Sequence, residues 1–216
     1  MEFSINAVTR RQLFQGATAL LGLLAASRGS QAANLVERDA EAAVTRLVDH
    51  ILQLIQNRAD GARQERRLMA AIESQTDLSL LARMTMGRHW RRATTAQQTQ
   101  FVGLFRRYLL QSFATRLRRY AGADLRAARQ RFSILSTKEV GRKDVIVRSR
   151  VVPPSGAPLD VDWRLRRRDG RPVIIDLVVE GVSLLITQRS EFGTVLERQG
   201  IDGLLDELET RVARSV

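Results

Sequence analysis

The chain has 216 residues, of which 44% are apolar and 27% charged, an ordinary globular balance that argues against wholesale disorder. Lys and Arg number 35 against 23 Asp and Glu, a formal charge of +12, and all of the cations except Lys138 and Lys143 are arginine. The absence of cysteine excludes disulfides, thiolate nucleophiles and Cys-ligated metal, and two histidines, His50 and His89, leave little for a His-based metal site.

Residues 1–32 read as an export signal. Thr9-Arg10-Arg11-Gln12-Leu13-Phe14 is a charged segment of twin-arginine form, followed by an apolar run from Gly16 to Ala26. As a helix that run spans roughly 16 Å, about half of a ~30 Å hydrocarbon core, too short to cross a membrane. Ser30 and Ala32 supply the small residues of a cleavage site, placing the start of the mature chain at Ala33. The Arg10-Arg11 pair, the mildly apolar Gly/Ala-rich run and Arg28 before the cleavage site resemble a twin-arginine (Tat) signal, which exports folded proteins. The expected compartment is a bacterial periplasm, where a basic chain meets anionic headgroups in preference to nucleic acid.

In the mature chain, Asn34 is expected to open a helix to Asn57, with Leu47, Ile51, Leu54 and Ile55 at helical spacing. Asp60-Gly61 breaks it. A second helix is expected over Ala62–Gln75, and Asp77 starts a third that ends near Gly87. Thr94 or Thr95 then caps a long helical stretch to Gly122. On it Phe101, Leu104, Phe105, Tyr108, Leu109, Phe113 and Leu117 cover more than half the circumference, opposite Arg107, Gln111 and Arg118, so the helix belongs in the middle of the molecule.

After Gly122 the period changes to 2. Strands are expected over Phe132–Val140, Val145–Val152, Leu159–Arg168 and Val173–Val179, with turns at Gly141–Asp144 and Asp169-Gly170. Leu159, Val161, Trp163 and Leu165 share one parity. So do Val173, Ile175, Leu177 and Val179, and this places Asp160, Asp162 and Asp176 on the opposite face. Gly181 permits a kink or bulge, Val182–Ile186 continues the chain, and helices over Ser190–Gln199 and Asp202–Arg214 close it around Gly200. Helices, then an antiparallel meander, then helices give a single α+β domain over residues 33–216.

No nucleophile elbow, phosphate-binding glycine loop, HExxH or zinc spacing occurs. His89 beside Trp90 reads as a packed or surface histidine rather than a general base. Asp176 and Glu180 read as partners of arginines or of backbone donors near Gly181. The arginines lack the aromatic interleaving of an RNA-binding sheet, so they read as a solvated surface and nucleic acid is not an expected partner. The wide apolar helix face and the apolar strand rows fit either a solid core or a cavity for an apolar ligand, and periodicity does not separate the two.

Met86-Gly87-Arg88-His89-Trp90-Arg91-Arg92-Ala93-Thr94 resembles the LGRxWRxAT segment of the MlaC-type family, also called the toluene-tolerance auxiliary family. Gln97, Phe101 and Phe105 match its following helix, and Asp176–Leu184 resembles its DVxxEGVSL motif. Arg189-Ser190-Glu191-Phe192 resembles YRsqF, and Gly200–Leu204 its closing GxdxLixxL. Two positions depart: Pro172-Val173-Ile174 stands where an aromatic is usual, and Gln188 replaces a Tyr. The resemblance implies a nuclear-transport-factor-2-like cone, helices on a curved antiparallel sheet around an apolar cavity. It also implies a periplasmic phospholipid carrier, with no catalytic residue, metal or cofactor. Its partners would be an inner-membrane ABC transporter with an MCE-domain subunit and an outer-membrane lipoprotein complex.

On that resemblance the acyl chains are expected against Met84 and Trp90, and against Phe101, Phe105, Tyr108, Leu109 and Phe113 of the long helix. On the strands the expected contacts are Val147, Val151, Val161, Trp163, Leu165, Ile175, Leu177 and Val179, followed by Val182 and Leu184. Two other readings are weighed: an isomerase using a buried Asp on the same kind of cone, and a periplasmic adaptor that binds only protein. Strand parity, by turning Asp160, Asp162 and Asp176 outward, counts against the first.

Overall fold

The period-2 alternation of the second half builds one antiparallel meander in the computed structural model, which describes residues 36–54, 61–118, 129–153 and 157–214. The expected export signal and the end of the long helical stretch lie outside the described residues, as does the centre of the Pro153–Pro158 loop. Strands β1 (Phe132–Val140), β2 (Asp144–Val151), β3 (Leu159–Arg168), β4 (Arg171–Val179) and β5 (Val182–Ser183) pair in sequence order. Asp169 (φ 50°) and Gly170 (φ 80°) form the β3–β4 turn, and two consecutive positive φ values match the right-handed strand twist.

Register sorts the two faces. Val147, Trp163 and Leu177 are cross-strand neighbours on the inner face, as are Val145 and Leu165. On the outer face Arg150 pairs with Asp160 (2.7 Å) and Arg148 with Asp162 (3.0 Å). The buried Asp144 receives both Arg164 (2.5 Å) and Arg166 (2.7 Å).

A bulge in β4 overturns part of the expected parity. Arg164 pairs with Asp176, but the next residue, Leu165, pairs with Ile174, leaving Ile175 as the extra residue. Ile174 therefore joins the Leu165 row, and Val173 falls opposite Arg166. Val173 and Ile175 are still buried, because α2 and α5 (defined below) both contact this strand. Within the Val182–Ile186 continuation only Val182 and Ser183 form a strand. Glu180 (φ 50°) and Gly181 (φ 78°) turn the chain back so that Val182 pairs with Val179, and the Ser183 hydroxyl then accepts the Ile186 N–H and caps a helix.

The helices are α1 (36–54), α2 (Gly61–Gln75), α3 (Leu78–Met86), α4 (Thr95–Arg118) and α5 (Leu184–Ala213), with a 3-10 segment at Gly87–Arg92. Asp77 caps α3 by accepting the Leu80 N–H. Thr94 and Gln97 exchange side-chain-to-backbone bonds at the start of α4, a capping box. The two expected closing helices are the halves of α5, broken at Gly200 (φ 71°, ψ −167°), and the first begins at Leu184 rather than Ser190.

The broad apolar face of α4 serves two cores. Phe101, Leu104 and Phe105 meet Ala82 and Met86 of α3 and Phe192, Leu196 and Leu204 of α5. Phe192 sets its ring edge-on to Phe101 at 5.7 Å. Phe113 instead packs against the core formed by α1, α2 and the sheet, and Leu109 touches both cores. Gln111, expected on the solvent side, is half-buried and donates to the Val212 carbonyl.

Candidate functional site: an apolar cavity between helices and sheet

The two cores do not close on each other. Between them lies a cavity of about 290 Å³. Leu47 and Ile51 of α1, Leu68 and Ile72 of α2 and Leu81 of α3 form one wall. Phe105, Tyr108, Leu109, Ser112 and Phe113 of α4 form another. The sheet contributes Trp163, Ile174, Ile175, Asp176 and Leu177, and the first turns of α5 add Leu184, Leu185, Thr187, Gln188 and Glu191.

The polar atoms on these walls are largely turned to the protein. The hydroxyls of Thr76, Thr85 and Thr187 donate to the carbonyls of Ile72, Ala82 and Ser183, three or four residues earlier in chain. The Trp163 indole N–H donates to Ser149 Oγ (2.9 Å), which donates to the Val161 carbonyl (3.0 Å), so the ring offers the cavity an apolar surface. Among the described residues no buried side-chain nitrogen or oxygen lacks a partner. A guest entering this space finds few unmet hydrogen bonds and much hydrocarbon.

Asp176 corrects the outward placement expected from parity: it is buried and lines the cavity, next to the bulged Ile175. Its Oδ2 accepts the Ser183 hydroxyl (2.5 Å) and its Oδ1 the Leu185 N–H (3.0 Å). With Ser183 in turn accepting the Ile186 N–H, one carboxylate holds the start of α5 against β4, where the helix dipole favours negative charge. Glu180 also bonds backbone, its Oε1 accepting the Asp160 N–H (2.6 Å). Neither carboxylate is arranged as a general base.

Of the residues expected to hold lipid, Phe105, Tyr108, Leu109, Phe113, Trp163, Ile175, Leu177 and Leu184 come together on the cavity walls. The others lie elsewhere. Phe101 is buried in the α3–α4–α5 core with Trp90 packed against it, and Met84 is a half-buried α3 residue outside the lining. Val147 and Leu165 are buried in the sheet-side core, with Val151 and Val161 packed on it. Val179 is half-buried at the end of β4, and Val182 is 56% exposed in the β4–β5 turn. The cavity lies at the β4 side of the sheet, so the inner rows of β2 and most of β3 face solid core. The α1 and α2 leucines and isoleucines and the α5 residues Leu185, Thr187, Gln188 and Glu191 were missed. Expecting the closing helix only from Ser190 hid the start of α5, and one apolar helix stripe looks like another.

His89 lies outside the cavity in a shallow groove with Arg88 and Arg92. Partial burial and the charges of Arg88 and Arg92 push its pKa down, favouring the neutral ring, whose Nε2 accepts from Arg88 Nε (3.3 Å). Among the described residues no three His, Asp or Glu side chains gather as a metal site, and no helix is long and apolar enough to cross a membrane.

The comparisons agree with this architecture. A solved phospholipid-binding protein from Ralstonia solanacearum, in complex with a phospholipid, superposes with a TM-score of 0.70. The match covers 82% of this chain and 98% of that one at 24% identity, a likeness of fold. The intermembrane phospholipid transport system binding protein MlaC of Haemophilus influenzae is 26% identical over 135 residues. That match covers 61% of this chain, and the chain spans 60% of that relative's length. The family model described as MlaC protein matches residues 42–210, most of the sequence, and the chain belongs to the MlaC family.

Proposed function

We propose that the protein is a soluble phospholipid carrier of the periplasm, which holds acyl chains between α4, α5 and β4 and leaves the headgroup at the mouth. The observation that carries this reading is the cavity itself: its walls are mostly hydrocarbon, and most of its polar side chains are bonded to the protein. A catalytic pocket needs convergent unsatisfied polar groups. Asp176, the buried carboxylate an isomerase would need, is occupied on both oxygens.

The energetics fit carriage. A cavity of about 290 Å³ has room for roughly ten methylenes, and their burial at ~0.8 kcal/mol each gives roughly 8 kcal/mol relative to water. That gain is on the order of a micromolar hold against water. On the resemblance to the MlaC family, the partners are an inner-membrane ABC transporter with an MCE-domain subunit and an outer-membrane lipoprotein complex. A cleavable Tat signal delivers the folded chain to the space between them.

Organic extraction and mass spectrometry of the purified protein test the reading. Phospholipid near one molecule per chain is the expected result. A protein that carries no lipid and takes none up from detergent-solubilised phospholipid is not a carrier, and an adaptor that binds only protein then replaces this reading.

A further inference from the structure

Among the described residues that line the cavity, none is arginine or lysine, in a chain that carries 35 such cations. Two are acidic, Asp176 and Glu191. The charge of Asp176 is committed to the start of α5, as described above. Glu191 lies two turns along the same helix, on the stripe that carries Leu184, Thr187 and Gln188 to the cavity, and it is exposed. Its carboxylate accepts the Gln188 amide at 3.2 Å, a neutral donor that leaves the charge uncompensated. Arg189 is near in sequence but turned away: its guanidinium lies over Gly87 at the end of α3, where a Cβ on that glycine would meet Nη2 at 2.8 Å. Among the described lining residues the cavity therefore presents one uncommitted charge, and it is negative.

We propose that Glu191 makes the cavity mouth select headgroup charge, favouring phospholipids whose headgroup carries an ammonium over anionic ones. The inference rests on the carrier reading. A phospholipid whose tails fill the cavity brings its phosphate to the rim. Phosphatidylethanolamine adds an ammonium that a carboxylate attracts. Phosphatidylglycerol adds neutral hydroxyls and leaves the phosphate charge facing Glu191. Because Glu191 is exposed, the attraction is screened, and exposed ion pairs correspond to about a two- to five-fold preference.

The test is a competition. Lipid-free protein is loaded from detergent micelles containing equal amounts of phosphatidylethanolamine and phosphatidylglycerol with identical acyl chains, at low ionic strength, then repurified and extracted. Mass spectrometry gives the ratio of the two lipids bound. The expected ratio is about two to five in favour of phosphatidylethanolamine, moving to one in Glu191→Gln and reversing in Glu191→Lys. The preference should also shrink in 1 M salt, where the screening length falls to about 3 Å. A wild-type ratio of one, or a preference that survives Glu191→Gln or high salt, overturns the inference while leaving the carrier intact. Wild-type protein that loads neither lipid refutes the carrier reading, and the inference falls with it.

Discussion

Leu177 and Val161 face the same side of the sheet, yet the structure gives them different work. Leu177 pairs with Trp163 and lines the cavity. Val161 pairs with Val179 and packs on the sheet-side core, outside the lining. Tryptophan at each position separates empty space from packed space. In Leu177→Trp the indole enters the cavity and displaces about three methylenes of acyl chain; at ~0.8 kcal/mol each this is ~2.4 kcal/mol, close to a fifty-fold loss of lipid retention. Its stability should stay within about 1 kcal/mol of lipid-free wild type, because the added volume goes into the cavity that Leu177 lines rather than into the core it also touches. In Val161→Trp the added volume is overpacking, at a cost of about 1–3 kcal/mol. For a domain of this size that lowers Tm by about 2–12 °C, while lipid is kept. Thermal unfolding of delipidated protein and lipid content after reloading are the two readouts, and the lipid-free reference matters because bound ligand itself raises Tm. If Leu177→Trp reloads as wild type does, or if Val161→Trp loses lipid with no loss of stability, the placement of the cavity is wrong.

Three further outcomes are expected. Burial pushes the Asp144 carboxyl up, but hydrogen bonds from Arg166 and Arg164 and their charges outweigh it and hold the pKa below the usual carboxylate value. A carboxyl depressed by folding stabilises the protein above its unfolded pKa of about 3.9, and that contribution is lost as pH falls through the folded value. Asp144→Asn should therefore cost about 1–3 kcal/mol at pH 7, less than a fully buried pair because both arginines are partly exposed. It should also flatten the decline of Tm below about pH 4; an unchanged decline would assign the acid sensitivity to other carboxylates. Gly87 sits at φ 55°, ψ −125°, a conformation a side chain resists, so Gly87→Ala should cost about 1–3 kcal/mol. The cost should persist in an Arg189→Ala background, since truncating the flexible guanidinium removes only the contact, and full recovery of Tm there would make the clash the cause. Replacing Arg10 and Arg11 with lysine should block export while leaving positive charge in place, and normal export of that variant would rule out a Tat signal.

What the sequence made legible follows the strength of its periodic signals. The β1 and β3 boundaries match the expected ones, because Trp163 and Leu165 alternate cleanly with Arg164 and Arg166 and both strands end at glycine turns. Capping chemistry located the start of α3 at Asp77 and narrowed that of α4 to Thr94 or Thr95, of which Thr94 is the cap. The bulge at Ile175 was not legible, since Val173-Ile174-Ile175 is apolar throughout and either parity satisfies a strand buried on both faces. Around the bulge Ile174, Ile175, Asp176 and Leu177 all line the cavity, which strict alternation does not allow for. The start of α5 was missed for a related reason: Val182-Ser183-Leu184-Leu185-Ile186 is β-prone in composition, and tertiary bonds from Asp176 and Ser183 turn its latter part into helix. Core and cavity looked alike in sequence because both require the same apolar stripe, and which residues lack a partner across the gap is a property of packing alone.

The arrangement of polar groups around the cavity bears on how a carrier would let go of its cargo. Relative to a bilayer, moving acyl chains into an apolar pocket gains almost nothing, because lipid tails are as apolar as leucine and phenylalanine. A wall with many unmet hydrogen-bond groups would favour water in the empty state and hold specific headgroups in the filled one. These walls offer few such groups: the Thr76, Thr85 and Thr187 hydroxyls are bonded to carbonyls three or four residues earlier. The cargo is then held chiefly by its exclusion from water. Such a hold is strong in solution and vanishes wherever a continuous apolar path meets the mouth, so direction of transfer is set by the partner that supplies that path. The first turn of α5 stands at that mouth, with Ile186 68% exposed beside the lining residues Leu185 and Thr187, and Asp176 fixes it in place. A substitution that frees this turn, Asp176→Ala, would loosen one wall without removing any apolar contact. Faster loss of lipid to acceptor vesicles with an unchanged filled-state load would tie the hold to wall rigidity, whereas an unchanged transfer rate would leave exclusion from water as its sole source.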